Sequence, residues 1–366
     1  MSVSLSTATT LGAPFVLGAP QPFATRIANS RAAVIALPTA EDPGVWQVET
    51  CLHDTTGAVH VGEKIRPSPA PPAETRIALL IACSDRTLES VPLSPDGRAY
   101  LAELPTTDVA LDERIAYAVA HWDHDDPAIA QDAFAAIGAL SASQLSQHAK
   151  LLPRAELADL IKSPATPSDH VGFFAYLLGL AGTAEDANVI RQRLDSELEG
   201  LAAGVPGLVA GYLLLTGSQG LAELEGNFLL AGRGSPFVVA AFFEALQTLA
   251  REHPDQFSTE RFYEAACCGL NREDSADLAI SFLAHQRAWH MLPRVAERLD
   301  SRDPDIDRRR AVRIAAVRFL IECQRDVDAA PAERGRAQQW LQHLSHSDGD
   351  LIRRAQRISG PIQLAE

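Results

Sequence analysis

Apolar residues recur with two different periods along this chain, and the change falls near residue 105. Before it, short runs alternate or are wholly apolar: Ala32–Leu37, Val45–His53, a weak one at Val59–Arg66, Arg76–Cys83 and Leu88–Leu93. In the second run Val45, Gln47, Glu49 and Cys51 alternate with Trp46, Val48, Thr50 and Leu52, the period of two of a strand with one solvated face. RIALLIAC is apolar on both faces and is expected to lie centrally in a sheet. A short helix is expected at Phe23–Ser30, and four prolines between Pro67 and Pro72 mark a stiff exposed loop. Five short strands without helical crossovers predict an antiparallel meander or a small OB-like barrel.

From residue 106 the spacing becomes helical. In Leu111–Leu140 one helix places Ile115, Val119 and Trp122 on a face with Ala116 beside them, and the next does so with Ile129, Phe134, Ile137 and Leu140. Between them Asp126 and Pro127 start a helix: the carboxylate caps free N–H groups, and proline fits a position whose N–H has no partner. Similar punctuation follows at Ser141, Pro153, Pro167, Ser168, Thr183, Ser218, Ser235, Ser258, Ser275 and Pro331, and Ser94 with Pro95 precedes it. Asp303, Pro304 and Ile306 echo Asp126, Pro127 and Ile129. Gly182, Gly217 and Gly269 read as left-handed helix stops. The pattern predicts about a dozen to fifteen helices paired over roughly 35–40 residues, each pair needing neighbours to cover its apolar face. VGFFAYLLGLAG and LVAGYLLLTG are apolar nearly all round and belong inside.

These residues carry a resemblance. DHDDPAIAQDAFAAIGAL resembles a HEAT-like repeat, with Asp-Pro, an aliphatic residue two on, and a small-residue-plus-Leu close. AAVIAL, YLAELP at Tyr100–Pro105, HDDPAIAQDAFA, and GYLLLTG followed by GLAELE are similar to segments of uncharacterised bacterial proteins that join an OB- or netrin-like β module to HEAT-like helices. The resemblance implies a mainly α fold: an α-solenoid of HEAT-like helical hairpins behind a small antiparallel β domain. It also implies a scaffolding or binding role. The expected organisation is a leader at 1–22, a β domain at 23–105, a helical repeat domain at 106–358 and a tail at 359–366. The leader reads as disordered or as a secretory signal with a misplaced start; it has no basic residue before Arg26. The compartment, cytoplasm or periplasm, and the oligomeric state stay open.

Charge narrows the partners. Residues 106–285 hold 10 Lys/Arg against 25 Asp/Glu, which equals the net charge of the whole chain, −15. Phosphates would be repelled along such a surface, so no nucleic acid is expected and a basic protein partner is. No apolar run approaches the roughly 18–20 residues of a membrane span.

The chemistry-bearing residues are few. Cys51, Cys83, Cys267, Cys268 and Cys323 lack CxxC spacing; Cys51 and Cys83 are read either as one disulfide or as two free thiols. His121, Asp123, His124, Asp125 and Asp126 are the densest ligand-type cluster, set against their reading as helix punctuation. Gly217–Gly220, GSQG, lacks the P-loop and nucleophile-elbow patterns. Arg308, Arg309, Arg310, Arg313 and Arg318 suit a solvated face, an anion, or the acidic centre of a second copy, with an Asp305–Arg309 pair expected. His285, Trp289 and His290 read as a packing cluster. No residue is assigned a catalytic, cofactor or metal role, and no cofactor is assigned. The expectation is a non-enzymatic protein-binding or scaffold protein; the alternative is an enzyme or metal-binding protein with its site at the junction of the β domain and the array, near His121–Asp126.

Overall fold

A computed structural model describes residues 12–16, 21–83, 87–197, 203–272, 274–300 and 305–357, apart from the Ile306 side chain. The leader expected over 1–22 lies outside these residues except for 12–16 and 21–22, and the tail over 359–366 lies wholly outside them. The chain divides into two compact units, Met1–Pro153 and Arg154–Glu366.

The first unit opens with α1 (Phe23–Ala28). It continues through β1 (Ala32–Pro38), β2 (Trp46–Asp54), β3 (Lys64–Ile65), β4 (Ile77–Ala82) and β5 (Leu88–Leu93). Then come α2 (Pro95–Glu103), α3 (Leu111–Val119), α4 (Pro127–Gly138) and α5 (Ala142–Gln147). The strands form one curled antiparallel sheet in the order β3-β2-β1-β4-β5. The order is not that of a meander, because the chain crosses from β3 at one edge to β4 on the far side of β1. The proline run makes that crossing, with Pro67 and Pro71 buried and Pro69 and Pro72 exposed. β1 is therefore the central strand, and β4 lies beside it, buried from Ala78 to Leu80 and at Ile81.

Both faces of the sheet are covered. Ala33, Ile35, Leu79 and Ile81 pack with Phe23, Tyr100, Leu101 and Ile129, so α1, α2 and α4 close one face. Val34, Ala36, Trp46, Val48, Ala78 and Leu80 pack together on the other. Two register shifts between β1 and β2 break the simple alternation expected of β2 beyond Val48. On α3 the buried stripe is Ile115, Ala118 and Trp122; Ala116, expected in it, is exposed. Residues 12–16 lie against α4: the Ala13 N–H donates to the Gly138 carbonyl at 2.7 Å, and Val16 fills the space a Cβ on Gly138 would need.

The second unit is helical throughout its described residues: α6 (Arg154–Lys162), α7 (Ser168–Ala181), α8 (Ala187–Glu197), α9 (Val205–Glu225), α10 (Pro236–Glu252), α11 (Thr259–Gly269), α12 (Ala276–His285), α13 (Leu292–Ala296), α14 (Ile306–Arg325), α15 (Pro331–Ser347) and α16 (Gly349–Arg357). The α9 helix is broken at Gly217, whose φ of 60° and ψ of −140° only glycine adopts without strain. That is the stop expected there. Gly182 is extended instead, and Gly269 is the last residue of α11. Gly182 is small for another reason: a Cβ would lie 2.6 Å from both Asp186 Oδ2 and the Leu178 carbonyl oxygen. Asp303 and Pro304, the expected echo of Asp126 and Pro127, lie outside the described residues; the α14 cap is Asp305, which accepts from the Asp307 and Arg308 N–H groups.

The helices expected to be interior are so. α7 is buried from Val171 to Gly179, and 205–213 of α9 are buried. Their backbones touch. A Cβ on Gly207 would lie 2.1 Å from the Gly172 carbonyl oxygen, and one on Gly179 would lie 2.7 Å from the Gly211 Cα. Gly172 thus meets Gly207, and seven residues on Gly179 meets Gly211, so α7 and the first half of α9 run in the same direction. Backbone contact this close allows Cα–H···O contacts and needs glycine on at least one side of each.

Candidate functional site

Two places could carry function. The first lies in the unit Met1–Pro153, where α1 to α4 meet. Ser94 caps α2 by accepting from the Gly97 N–H at 2.9 Å, and Asp126 caps α4 by accepting from the Ala128 N–H at 2.8 Å. The Ser94 hydroxyl donates to Asp126, joining the two caps. Burial alone would raise the Asp126 pKa, but the hydrogen bonds from Ser94, Ala128 and Ile129 outweigh it and hold the carboxyl below its ordinary value. Two turns further on, the Tyr100 hydroxyl donates to Asp132 Oδ2 at 2.7 Å, and the Phe23 N–H at the start of α1 donates to Oδ1 at 2.5 Å. Asp132 is only 4% exposed and serves as a latch between three helices. Burial raises its pKa, against the hydrogen bonds from Phe23 and Tyr100 and the charge of Arg26.

A cleft of ≈ 510 Å³, counted out to its open side, lies among these helices. Leu104, Leu111, Ile115, Ile137 and Leu140 give it apolar walls, with Tyr100 and Tyr117 beside them. Both phenols are engaged in structure, since the Tyr117 hydroxyl donates to the Tyr100 carbonyl at 2.7 Å. Burial, first of all, pushes both phenol pKa values up. Arg114 is the one charged side chain among the described lining residues.

The His121–Asp126 cluster expected as a possible metal site stands at the end of α3, beside this cleft but outside its described lining. The rings of His121 and His124 stack at 6.2 Å. His121 Nδ1 lies 2.8 Å from the Tyr117 carbonyl oxygen, which can only accept, so that nitrogen carries the proton. His124 Nδ1 accepts from the Asp126 N–H at 2.9 Å. Among the described residues no group of three or more His, Cys, Asp or Glu is placed to hold a metal ion.

The second place lies in the unit Arg154–Glu366, at incompletely buried positions of α10, α12 and α14. The incompletely buried positions include Phe237, Ala240, Glu244, Gln247 and Arg251 of α10, Asp277, Ser281 and His285 of α12, and Arg318, Glu322 and Arg325 of α14. Phe243 stacks on Phe282 at 5.2 Å, and Gln247 Nε2 meets His285 Nε2 at 2.6 Å, so α10 and α12 run in the same direction. Burial raises the pKa of Glu244 with nothing opposing it. Asp277 is raised by burial against its own and the Leu278 N–H, and Glu322 by burial against Arg318, His285 and Arg325. Three carboxylates, one on each helix, are thus partly desolvated, and Phe237 near the start of α10 is 77% exposed.

The remaining sequence candidates have structural roles. Gly217–Gly220 is the break in α9. Arg308, Arg310, Arg313 and Arg318 pair with Asp307, Asp348, Asp305 or Glu322 at 3.0–3.8 Å; Asp305 pairs with Arg308 rather than with the Arg309 expected. Trp289 donates from Nε1 to Asp326 at 2.6 Å and sets its ring edge-on to Phe319, while His290 pairs with Glu260. All five cysteines are free thiols, Cys51 exposed and Cys323 buried. Cys268 donates to Glu225 at 2.9 Å, and burial together with that carboxylate raises its pKa to about 11, far from a reactive thiolate. No helix among the described residues is long and apolar enough to cross a membrane.

Sequence reasoning missed Arg287. It stands at φ 56°, in the left-handed position just after α12, and closes a Schellman turn in which Ala288 N–H donates to Leu283 and Arg287 N–H to Ala284. A signal was present in the absence of glycine after an apolar helix, but only the fold reveals what the arginine holds: Asp326 and Asp328.

No protein-family model, no curated protein and no solved structure matches this chain.

Proposed function

We propose that the protein is a helical-repeat binding or scaffold protein. Its helices stack as HEAT-like hairpins, and it takes a basic protein partner on a stripe formed by α10, α12 and α14. One observation carries the reading. Seven polar ties between alternate helices span similar sequence distances: Ser94–Asp126, Tyr100–Asp132, Arg154–Asp186 and Arg191–Glu223 at 32 residues, Arg261–Glu225 at 36, Gln247–His285 at 38 and Arg287–Asp326 at 39. Ties of that kind are expected where each hairpin repeats the place of the one before and touches mainly its neighbours. The break at Gly217 fits the same scheme, dividing α9 into the second helix of one pair and the first helix of the next. The curled five-stranded sheet is compatible with an OB-like module ahead of such an array.

The burial of three acids, rather than the net charge of the stripe, which Arg251, Arg318 and Arg325 balance, supports the partner. Glu244, Asp277 and Glu322 have lost part of their hydration, and a lysine or arginine brought against them regains much of that lost stabilisation. The attraction is screened over about 8–10 Å at ordinary salt, so capture weakens as salt rises. The test is capture of proteins from a lysate on the immobilised chain at low and high salt, beside the E244Q/D277N/E322Q variant. Basic proteins retained at low salt by the parent and not by the variant support the proposal. Retention indifferent to both salt and the three substitutions contradicts it.

A further inference from the structure

We propose that Tyr176 and His253 form a pH-sensitive clasp, which holds the corner between α10 and α11 against α7 at neutral pH and releases it in mild acid. The inference does not rest on the basic partner.

The pair is buried and joins distant parts of its unit. The Tyr176 hydroxyl and His253 Nε2 lie 2.9 Å apart, with the tyrosine fully buried and the histidine 6% exposed. The two residues are 77 apart in the chain, about twice the span of the other helix ties, so this tie reaches past a neighbour. That neighbour is α9, which packs on both α7 and α10. Tyr176 stands in the interior of α7, and His253 ends α10, where its N–H donates to the Leu249 carbonyl at 2.9 Å. Beyond it Pro254, Asp255 and Gln256 are exposed. Phe257 is buried again, its ring stacked on Phe262 at 5.5 Å. A short exposed turn is thus pinned by His253 on one side and Phe257 on the other.

The clasp needs a neutral ring. An uncharged imidazole satisfies the phenol in either tautomer, accepting its proton at Nε2 or donating an N–H to its oxygen. Burial, with Glu252 and against Arg251, pushes the Tyr176 pKa up, so the phenol stays protonated and offers no counter-charge. Protonation of His253 therefore puts a positive charge where there is almost no water. The charged groups that act on the pair are Glu252 on the histidine, and Glu252 and Arg251 on the tyrosine. Glu252 is itself held by Arg251 Nε at 2.6 Å, and among the described residues no carboxylate pairs with His253. Burial outweighs Glu252 and lowers the His253 pKa below the ordinary 6.5. The folded chain thus binds this proton less readily than the unfolded chain does. The stability linked to it is complete above 6.5 and falls as pH drops from there through the folded value. The charged ring regains water by swinging out with the turn it begins, since 254–256 already face solvent.

The experiment is hydrogen–deuterium exchange of the full chain between about pH 7 and about pH 5, each rate corrected for the chemical exchange rate at that pH. Amides of the corner, Leu249–Phe257, are expected to lose protection over that range, while those of the buried segment Ala316–Ile321 of α14 keep theirs. His253→Gln keeps a hydrogen-bonding group that takes no charge, and is expected to hold the corner's protection constant with pH. Tyr176→Phe leaves the ring without this partner, and is expected to open the corner already at neutral pH. His170, near the start of α7, is also lowered by burial against Asp169, and the His253→Gln comparison separates the two histidines. Corner protection unchanged by acid, a loss shared equally by Ala316–Ile321, or a His253→Gln variant that loses protection as the parent does would each overturn the proposal. The comparison of the corner with α14 in the unaltered chain decides it even where a variant fails to fold.

Discussion

Gly211 has its Cα turned onto the carbonyl of Ala175, so close that a Cβ there would lie 2.1 Å from the oxygen. In an ordinary helix, replacing glycine by alanine stabilises by about 1 kcal/mol. Here it must force α7 and α9 apart, and overpacking of that kind costs about 1–3 kcal/mol or more. Gly335, inside α15, has nothing within 4 Å of where its Cβ would be. The same substitution should therefore have opposite signs: Gly211→Ala lowers the urea midpoint, and Gly335→Ala raises it. Two shifts of the same sign would show that α7 and α9 do not meet at their backbones.

Glu244 offers a test by pH. Burial alone raises its pKa above the ordinary 4.5. The folded chain therefore keeps that proton to higher pH than the unfolded chain does. The stability linked to it is fully present below 4.5 and is lost as pH rises through the folded value. Glu244→Gln removes the loss. The stability of the variant relative to the parent should grow between pH 4 and pH 8, as followed by urea unfolding, whereas a difference independent of pH would mean that Glu244 is well solvated.

The pair of Arg287 and Asp326 predicts the reverse pH behaviour. Arg287, against a smaller opposing effect of burial and with help from Trp289 and the Asp328 N–H, holds Asp326 far below the ordinary carboxylate range. The stability from this pair is present above the unfolded Asp value and disappears as pH falls through the folded one. Asp326→Asn should lower the melting temperature at pH 7, and the gap to the parent should shrink in acid. Arg287 also sits in the left-handed region, where a side chain costs about 1–2 kcal/mol. Arg287→Gly should thus be milder than Arg287→Ala by roughly that amount, again about 1–2 kcal/mol. Equal losses would indicate a relaxed backbone at this position.

At the caps, Asp126→Ala removes both the acceptor for Ala128 and the partner of Ser94, and should cost about 1–2 kcal/mol. Asp126→Ser keeps a capping oxygen and should recover most of it. Chemical denaturation of the two variants side by side measures the difference.

Local chemistry is legible in the order of the residues. Four of the five strands, the caps at Ser94, Asp126 and Ser141, and the break at Gly217 stand where period and punctuation put them, while the weak run Val59–Arg66 pairs only at Lys64–Ile65; each is decided by neighbours a few residues away. What joins distant residues is not legible in that way. Both helices that carry Gly172, Gly179, Gly207 and Gly211 are apolar all round, so no amphipathic stripe marks the side on which they meet. The Ser94–Asp126 tie joins two cap-plus-proline steps, Ser94-Pro95 and Asp126-Pro127, that are 32 residues apart, yet in the sequence each shows only as a separate helix start. The crossing from β3 to β4 depends on which edge of β1 is still unpaired, a choice that no run of residues encodes. The cleft needs four helices to exist, and no single run of residues along the chain marks it.

Zero-length carbodiimide cross-linking of a captured basic partner tests the central claim most directly, because it joins a carboxylate only to an amine already in contact with it. The account predicts adducts between partner lysines and Glu244, Asp277 and Glu322, lost as salt is raised. Adducts confined to other acids, such as Glu41, Glu63 or Glu185, with none on the α10, α12 and α14 stripe, would contradict it.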